Sequence, residues 1–193
     1  MSGDLSDEEL MLRFAAGGAA WAFEQLWNRN LGTLKRHLLR LCGDEPAAED
    51  LAQEVWVRIF GAAARYQPRA RFRTYMLQIA HNLFVDWYRK KGRSADSLSW
   101  SDDEGSAIAD TLPDPAPGPP VAIDRQQQKL ALQSAIADLP PAQREVMVLC
   151  LEGCELAEAA EILGRPYETV KTQYRYGLAK LKRRALGTAA AAA

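Results

Sequence analysis

At 193 residues, 48% of them hydrophobic, the chain is long enough to bury a core as one ordinary domain or two small ones. No apolar run approaches the length that spans a bilayer, and the acidic opening "MSGDLSDEEL" is unlike a signal peptide, so a cytoplasmic protein without membrane insertion is expected. The net charge of −1 conceals an uneven distribution: 96–120 holds six acids and no base, whereas 165–184 holds seven bases and one acid. A partner of negative charge is therefore expected near the carboxyl-terminal end. Three cysteines make no disulfide framework; Cys150 and Cys154, four apart, would share a helix face as a small buried pair. The two histidines are far apart in sequence, and no zinc spacing or nucleophile–base set is legible. No metal, cofactor, small-molecule substrate or enzymatic activity is expected.

In chain order, "LSDEELMLRF" opens a helix with Ser6 as cap and Glu9 three residues on, a capping-box pattern. "AWAFEQLWNRNLGTLKRHLLRLC" repeats Phe23, Leu26, Trp27, Leu31, Leu34, Leu38 and Leu41 at spacings of three and four, the period of an amphipathic helix, with a bend expected near Gly32. "PAAEDLAQEVWVRIF" follows, with Pro46 in its first turn and Leu51, Val55 and Ile59 along one face. Asp50, Gln53 and Glu54 form a polar cluster off that face. Spacing alone favours a solvated surface, with Glu54 pairing to Arg58 one turn later, over a docking surface for a basic partner.

"RYQPRARFRTYMLQIAHNLFVDWYRKKGR" carries eight bases among 29 residues, interleaved with aromatics. Single-stranded DNA is bound by this mixture, cations for phosphate and aromatic faces for unstacked bases. Phe72, Met76, Ile79, Leu83 and Trp87 lie on one apolar stripe and read as core. Tyr75 and Asn82 lie off it, and the short polar loop "QPRA" ahead of the helix would form a lip for a flipped base. A basic surface helix with ordinary core aromatics accounts for the same residues equally well.

The stretch 96–120, rich in Ser, Asp, Gly and Pro, reads as a flexible acidic linker, because it buries too little to offset its ordering entropy. It separates an amino-terminal domain, 1–95, from a carboxyl-terminal one, 121–186, and the alanine-rich 187–193 reads as a disordered tail. "ELAEAAEILGRPYETVKTQYRYGLAKLKRR" divides at Gly164 into two helices, Leu156, Ala160 and Leu163 making the inner face of the first, with Pro166 suited to the first turn of the second. Spacing favours reading two short helices about such a turn as a helix-turn-helix over a solvated basic helix at the surface. At about 100° per residue, Val170, Tyr174, Gly177 and Leu181 face inward, while Glu168, Thr172, Arg175 and Tyr176 face out with Lys171 on the flank. In a major groove, Arg175 or Lys171 would donate to guanine, Thr172 would touch a thymine methyl and Glu168 would accept from cytosine. Lys180, Lys182, Arg183 and Arg184 would bind phosphate. No alternating strand pattern stands out, so the expected fold class is all-α.

Taken together, "LSDEEL…AFEQLW", "AEDLAQEVWVRIF", "FRTYMLQIAHNLFVDWYRKK", "LPPAQREVMVLCLEGCELAEAAEILG" and "ETVKT" resemble the extracytoplasmic-function sigma factors of bacterial RNA polymerase. The five segments run in that family's order and cover nearly all the chain outside the linker and tail. The resemblance implies a promoter-melting helical domain, a linker and a helix-turn-helix domain, forming a factor that binds core polymerase and initiates transcription. It implies that Asp50, Gln53 and Glu54 dock on the coiled coil of the polymerase's largest subunit. It implies that Gln67, Pro68, Arg69, Ala70 and Arg71, with Tyr75 and Asn82, capture an unpaired base of the upstream promoter element, while Arg89, Lys90, Lys91 and Arg93 hold phosphate. Arg165, Glu168, Thr169, Lys171, Thr172, Arg175 and Tyr176 would read the distal element, and an anti-sigma factor would be a further partner. The chain departs from the family where Tyr75 stands for tryptophan, which leaves the melting determinants close to pattern, and where Gln173 and Tyr176 stand for arginine and Pro166 for a polar cap, which implies an altered distal-element preference. Two alternatives accompany this reading: a helix-turn-helix regulator acting without polymerase, and a sigma-like decoy that sequesters a regulator.

Overall fold

A computed structural model of the chain describes residues 5–91 and 125–191, with side chains described for 131–184 of the second stretch. The expected linker, 96–120, and Arg93 lie outside the described residues. Eight α-helices are present among those residues, as the all-α reading requires: α1 (Asp7–Gly17), α2 (Ala20–Cys42), α3 (Glu45–Ala62), α4 (Phe72–Lys90), α5 (Arg125–Ala137), α6 (Pro141–Leu151), α7 (Leu156–Leu163) and α8 (Tyr167–Ala191).

The first four helices pack by their predicted stripes. Ser6 caps α1 with the full capping box, its hydroxyl accepting from the Glu9 N–H while the Glu9 carboxylate accepts from the Ser6 N–H. Leu26, Leu34, Leu38 and Leu41 of α2 are buried, Phe23, Trp27 and Leu31 pack at the core's edge, and the helix runs through Gly32 as one element. Asp44 caps α3, accepting from the Ala47 N–H at 3.3 Å, with Pro46 in the first turn. Leu51, Val55 and Ile59 then face α2 and α4, around Trp56 and Phe72, whose rings stack. Full burial of side chains this size contributes about 2–3 kcal/mol each.

The last four helices form a second unit. α8 crosses α6 closely enough that a Cβ at Gly177 would lie 2.9 Å from Met147 Cγ, so glycine is needed at the crossing. Gly153, at φ +84°, ends the turn after α6, and Cys154 follows in the connection to α7. Cys150 and Cys154 therefore do not share a helix face: Cys150 lies half-buried in the last turn of α6, whereas Cys154 is buried beyond the turn. Burial pushes both thiols up, Cys154 to about 11, which disfavours the nucleophilic thiolate. The alanine-rich end continues α8 to Ala191, as alanine's helix propensity favours.

The two units also pack on each other, α2 against α6 and α4 against α7, through a seam rich in charge. Glu152, at the end of α6, has a side chain only 4% exposed and sits 2.8 Å from Arg40 and 3.8 Å from both Arg73 and His37. Arg73 also donates to the Glu152 carbonyl. Glu145 is buried 3.1 Å from His81, Thr74 donates to Glu158 at 2.7 Å, and Gln78 donates to the Glu161 carbonyl at 3.0 Å. The two histidines, distant in sequence, thus meet the same seam.

Candidate polymerase and DNA interfaces

With Leu51, Val55 and Ile59 turned inward, α3 presents Asp50, Gln53 and Glu54 to solvent. Glu54 pairs with Arg58 at 3.1 Å, the one-turn contact expected. Asp50 and Glu54 form one wall of an open groove of about 590 Å³ between α3 and α4, floored by Leu51, Leu83 and Trp87. Trp87, expected in the core, is only half-buried because it lines this groove. Lys90 and Lys91 form the far rim. Lys91 is engaged across the groove: it lies 3.1 Å from Asp44 and 4.4 Å from the Trp87 ring centre. That hydrogen bond, ahead of the Ala47 N–H, holds the Asp44 carboxyl below its usual range. A wall of acids over an apolar floor suits a basic, amphipathic partner helix.

The loop 67–71 joins the 3₁₀ turn Ala63–Arg65 to α4. It is tightly folded: the Arg69 N–H donates to the Gln67 carbonyl at 2.8 Å and its guanidinium to the Gln67 side chain at 3.1 Å. Gln67, Pro68, Arg69 and Arg71 are exposed and Ala70 half-buried. Beneath the loop, Tyr66, Phe72 and Tyr75 form an aromatic floor, with ring centres 5.4 Å apart for the two tyrosines and 6.2 Å for Phe72 and Tyr75. Phe72 is wholly buried and Tyr75 half-buried, so Tyr75 presents part of its ring. Burial raises the Tyr75 phenol and takes that of Tyr66 to about 12, leaving both neutral. Asn82 and Arg89 follow Tyr75 at intervals of seven residues, each about 20° short of two full turns. Tyr75, Asn82 and Arg89 therefore form one ridge, with steps of about 10 Å, running from the polar loop to the basic end of α4. Asn82, Arg89, Lys90 and Lys91 are exposed.

In the second unit α7 ends at Gly164, whose φ of +60° is the left-handed cap that turns the chain into α8. α8 begins at Tyr167, so Pro166 stands just ahead of the helix, its carbonyl accepting from Val170 at 3.1 Å, and contributes no side-chain cap. Val170 and Gly177 are buried, with Tyr174 and Leu181 packed at the core's edge. Arg165, Glu168, Lys171 and Arg175 are exposed, and Thr169, Thr172 and Tyr176 half-buried. Lys171 lies 3.5 Å from Glu168. Gln173, one of the departures implicated in distal-element preference, is 6% exposed and belongs to the α8 core face rather than its outer one. Among the cations expected to hold phosphate, Arg184 pairs with Asp138.

These placements produce two cationic surfaces and one acidic one, each carried by a separate helix. The seam was missed from sequence, since its contacts join residues far apart: 112 positions separate Arg40 from Glu152. The available signal was Glu145, an acid at the head of the apolar run in "REVMVLCLEG".

Residues 26–94 match the family model Sigma-70 region 2, and residues 129–181 match Sigma-70, region 4. The ECF RNA polymerase sigma factor SigW of Bacillus subtilis is 30% identical over 146 residues, covering 75% of this chain and 78% of SigW. The chain belongs to the ECF sigma factors. The family's role is transcription initiation. ECF RNA polymerase sigma factor SigE of Mycolicibacterium smegmatis is 30% identical over 162 residues, 83% of this chain, and the chain spans 60% of SigE's length. The solved structure of CnrH, in complex with the cytosolic domain of CnrY, matches with a TM-score of 0.65 at 25% identity, over 95% of this chain and 97% of that one. Both sigma regions of the family are therefore present here as helical units. The groove and the α4 ridge fall inside the region 2 match and the outer face of α8 inside the region 4 match. No helix among the described residues is long and apolar enough to cross a membrane.

Proposed function

We propose that this ECF sigma factor binds core RNA polymerase through Asp50, Gln53 and Glu54, opens promoter DNA at the loop 67–71 and the α4 ridge, and reads a distal element with α8. The observation that carries the proposal is the ridge itself. A half-buried tyrosine, an exposed asparagine and an exposed arginine stand in line along α4, beneath a polar loop, within the region 2 match. Such a row offers stacking, hydrogen bonding and phosphate neutralisation in sequence, which is what a melted strand needs.

No covalent chemistry is required of this chain. Its task is to bind melted DNA better than duplex. Extruding a base costs a few kcal/mol, and contacts made only after extrusion, from the loop, Tyr75 and Asn82, offset that cost. Arg89, Lys90, Lys91 and Arg93 supply the sequence-independent attraction to phosphate. In α8, Arg165, Glu168, Thr169, Lys171, Thr172, Arg175 and Tyr176 would meet the groove of a second site. Two modest contacts on one chain bind more tightly together than either alone, because the second is intramolecular. The linker 96–120 is assigned the tether between them. The acidic wall of the α3–α4 groove suits the positively charged side of a polymerase coiled coil, and a protein partner of the anti-sigma kind is a further expectation.

The test is in vitro transcription with core polymerase on a promoter library, with and without the chain. The proposal predicts that the chain selects a subset of promoters sharing two spaced elements. Duplex binding without polymerase, and no change in initiation, would favour the plain helix-turn-helix regulator.

A further inference from the structure

α4 begins where the loop 67–71 ends, so its first N–H groups point back into that loop and need acceptors. The residue in the capping position, Arg71, supplies none from its side chain. The acceptor for Phe72 comes from 64 residues away: the Glu8 carboxylate takes its N–H at 2.5 Å. Glu8 is held firmly for this. The capping box closes the first turn of α1, while Asp7 accepts from Asn30 at 2.7 Å and from Arg29 at 3.3 Å. Arg29 also donates to the Leu5 carbonyl at 2.6 Å. The start of α1 is thereby fastened to α2, and α1 packs on the 3₁₀ turn and on α4. Burial pushes the Glu8 carboxyl up. The Phe72 N–H, its own N–H, the Ser6 hydroxyl and the Arg71 charge together outweigh that and bring it below its usual range.

An acidic turn beside a surface that receives nucleic acid works against binding by simple charge. Its presence calls for a structural duty, and the contact with Phe72 and Arg71 provides one. The geometry points to Glu8 as a positioning residue: from α1, it fixes the start of α4 and so holds the loop 67–71 and Tyr75 in the arrangement that receives an unpaired base. Glu8 lies ahead of the span matched by the region 2 model, which begins at residue 26. The inference rests on the reading of that loop as a base-capture site.

The experiment uses the full chain with core polymerase on a promoter taken from the library, prepared as a bubble template. Each unpaired position of the upstream element is made abasic in turn. Wild type is expected to lose affinity at one position, the captured base. On the intact bubble, Glu8→Ala should bind roughly fivefold to tenfold more weakly, the size of a lost helix cap. On the template abasic at that position, Glu8→Ala and wild type should bind equally. Glu8→Gln, whose amide oxygen can still accept from Phe72, should recover to within about threefold of wild type on the intact bubble. Equal losses on the intact and abasic templates would reduce Glu8 to a residue of general stability and overturn the inference. So would an unaffected Glu8→Ala while Tyr75→Ala abolishes discrimination. If wild type itself discriminates at no position, the base-capture reading fails, and the inference with it. Thermal melting of each variant identifies any that does not fold, in which case Glu8→Gln decides.

Discussion

Replacing Glu152 with alanine removes the acid on which the seam between the two units converges. The carboxylate is 4% exposed, 2.8 Å from Arg40 and 3.8 Å from Arg73 and His37. Breaking a fully buried ion pair by deleting one partner costs about 3–5 kcal/mol, because the surviving charge is left unpaired. Arg40 and Arg73 are 27% and 33% exposed, so both can turn partly to water once the acid is gone. The expected loss is therefore smaller, about 2–3 kcal/mol. Glu152→Gln keeps an acceptor for Arg40 and should lose roughly half as much. Urea unfolding followed by circular dichroism measures both, and small-angle scattering reports separation of the units. A loss below about 1 kcal/mol for alanine, with unchanged dimensions, would refute the claim that this cluster holds the units together.

His37 gives the seam a pH dependence of known sign. Burial, followed by the charges of His81, Arg40 and Arg73, lowers it from 6.5 to about 3. A histidine depressed in this way stabilises the fold above its unfolded value, and that contribution is lost as the pH falls from 6.5 towards 3, by up to about 1.4 kcal/mol per pH unit. Burial raises the neighbouring Glu152 carboxyl, whose proton uptake opposes the trend at the acid end, so the effect is clearest in the range just below pH 6.5. Urea titrations across that range should show His37→Gln with a flatter slope than wild type; equal slopes would contradict the assignment. Asp50→Arg combined with Glu54→Arg should abolish capture by core polymerase in a pull-down while leaving the melting temperature within a few degrees, since both side chains are exposed. Arg175→Ala should change which distal sequences are selected, with about 1–3 kcal/mol of discrimination lost at one base pair; uniform weakening on all sequences would make Arg175 a phosphate contact.

Much of this was legible in the sequence because helical periodicity records which face is buried. Leu51, Val55 and Ile59 predicted the inner face of α3 and, by subtraction, the outward position of Asp50, Gln53 and Glu54. The same logic placed Tyr75 and Asn82 off the α4 stripe and Val170 and Gly177 inside α8. Gln173 escaped it: at three residues from Val170 it lies on the buried flank, but its polar type and its departure from the family drew it toward DNA. The seam and the Glu8 cap escaped for another reason. Both are contacts between residues 64 or more positions apart, and a local period carries no record of them. His37 and His81 are separate in sequence and face the same seam only once α2 and α4 pack.

In the proposed mechanism, two cationic helical surfaces engage one promoter while the acidic face of α3 engages polymerase. Initiation by purified core enzyme on the promoter library, compared with and without this chain, decides whether it holds. Strong chain-dependent transcripts from promoters with two conserved elements are predicted, lost with Asp50→Arg and Glu54→Arg. Identical transcript profiles in the presence and absence of the chain would contradict it.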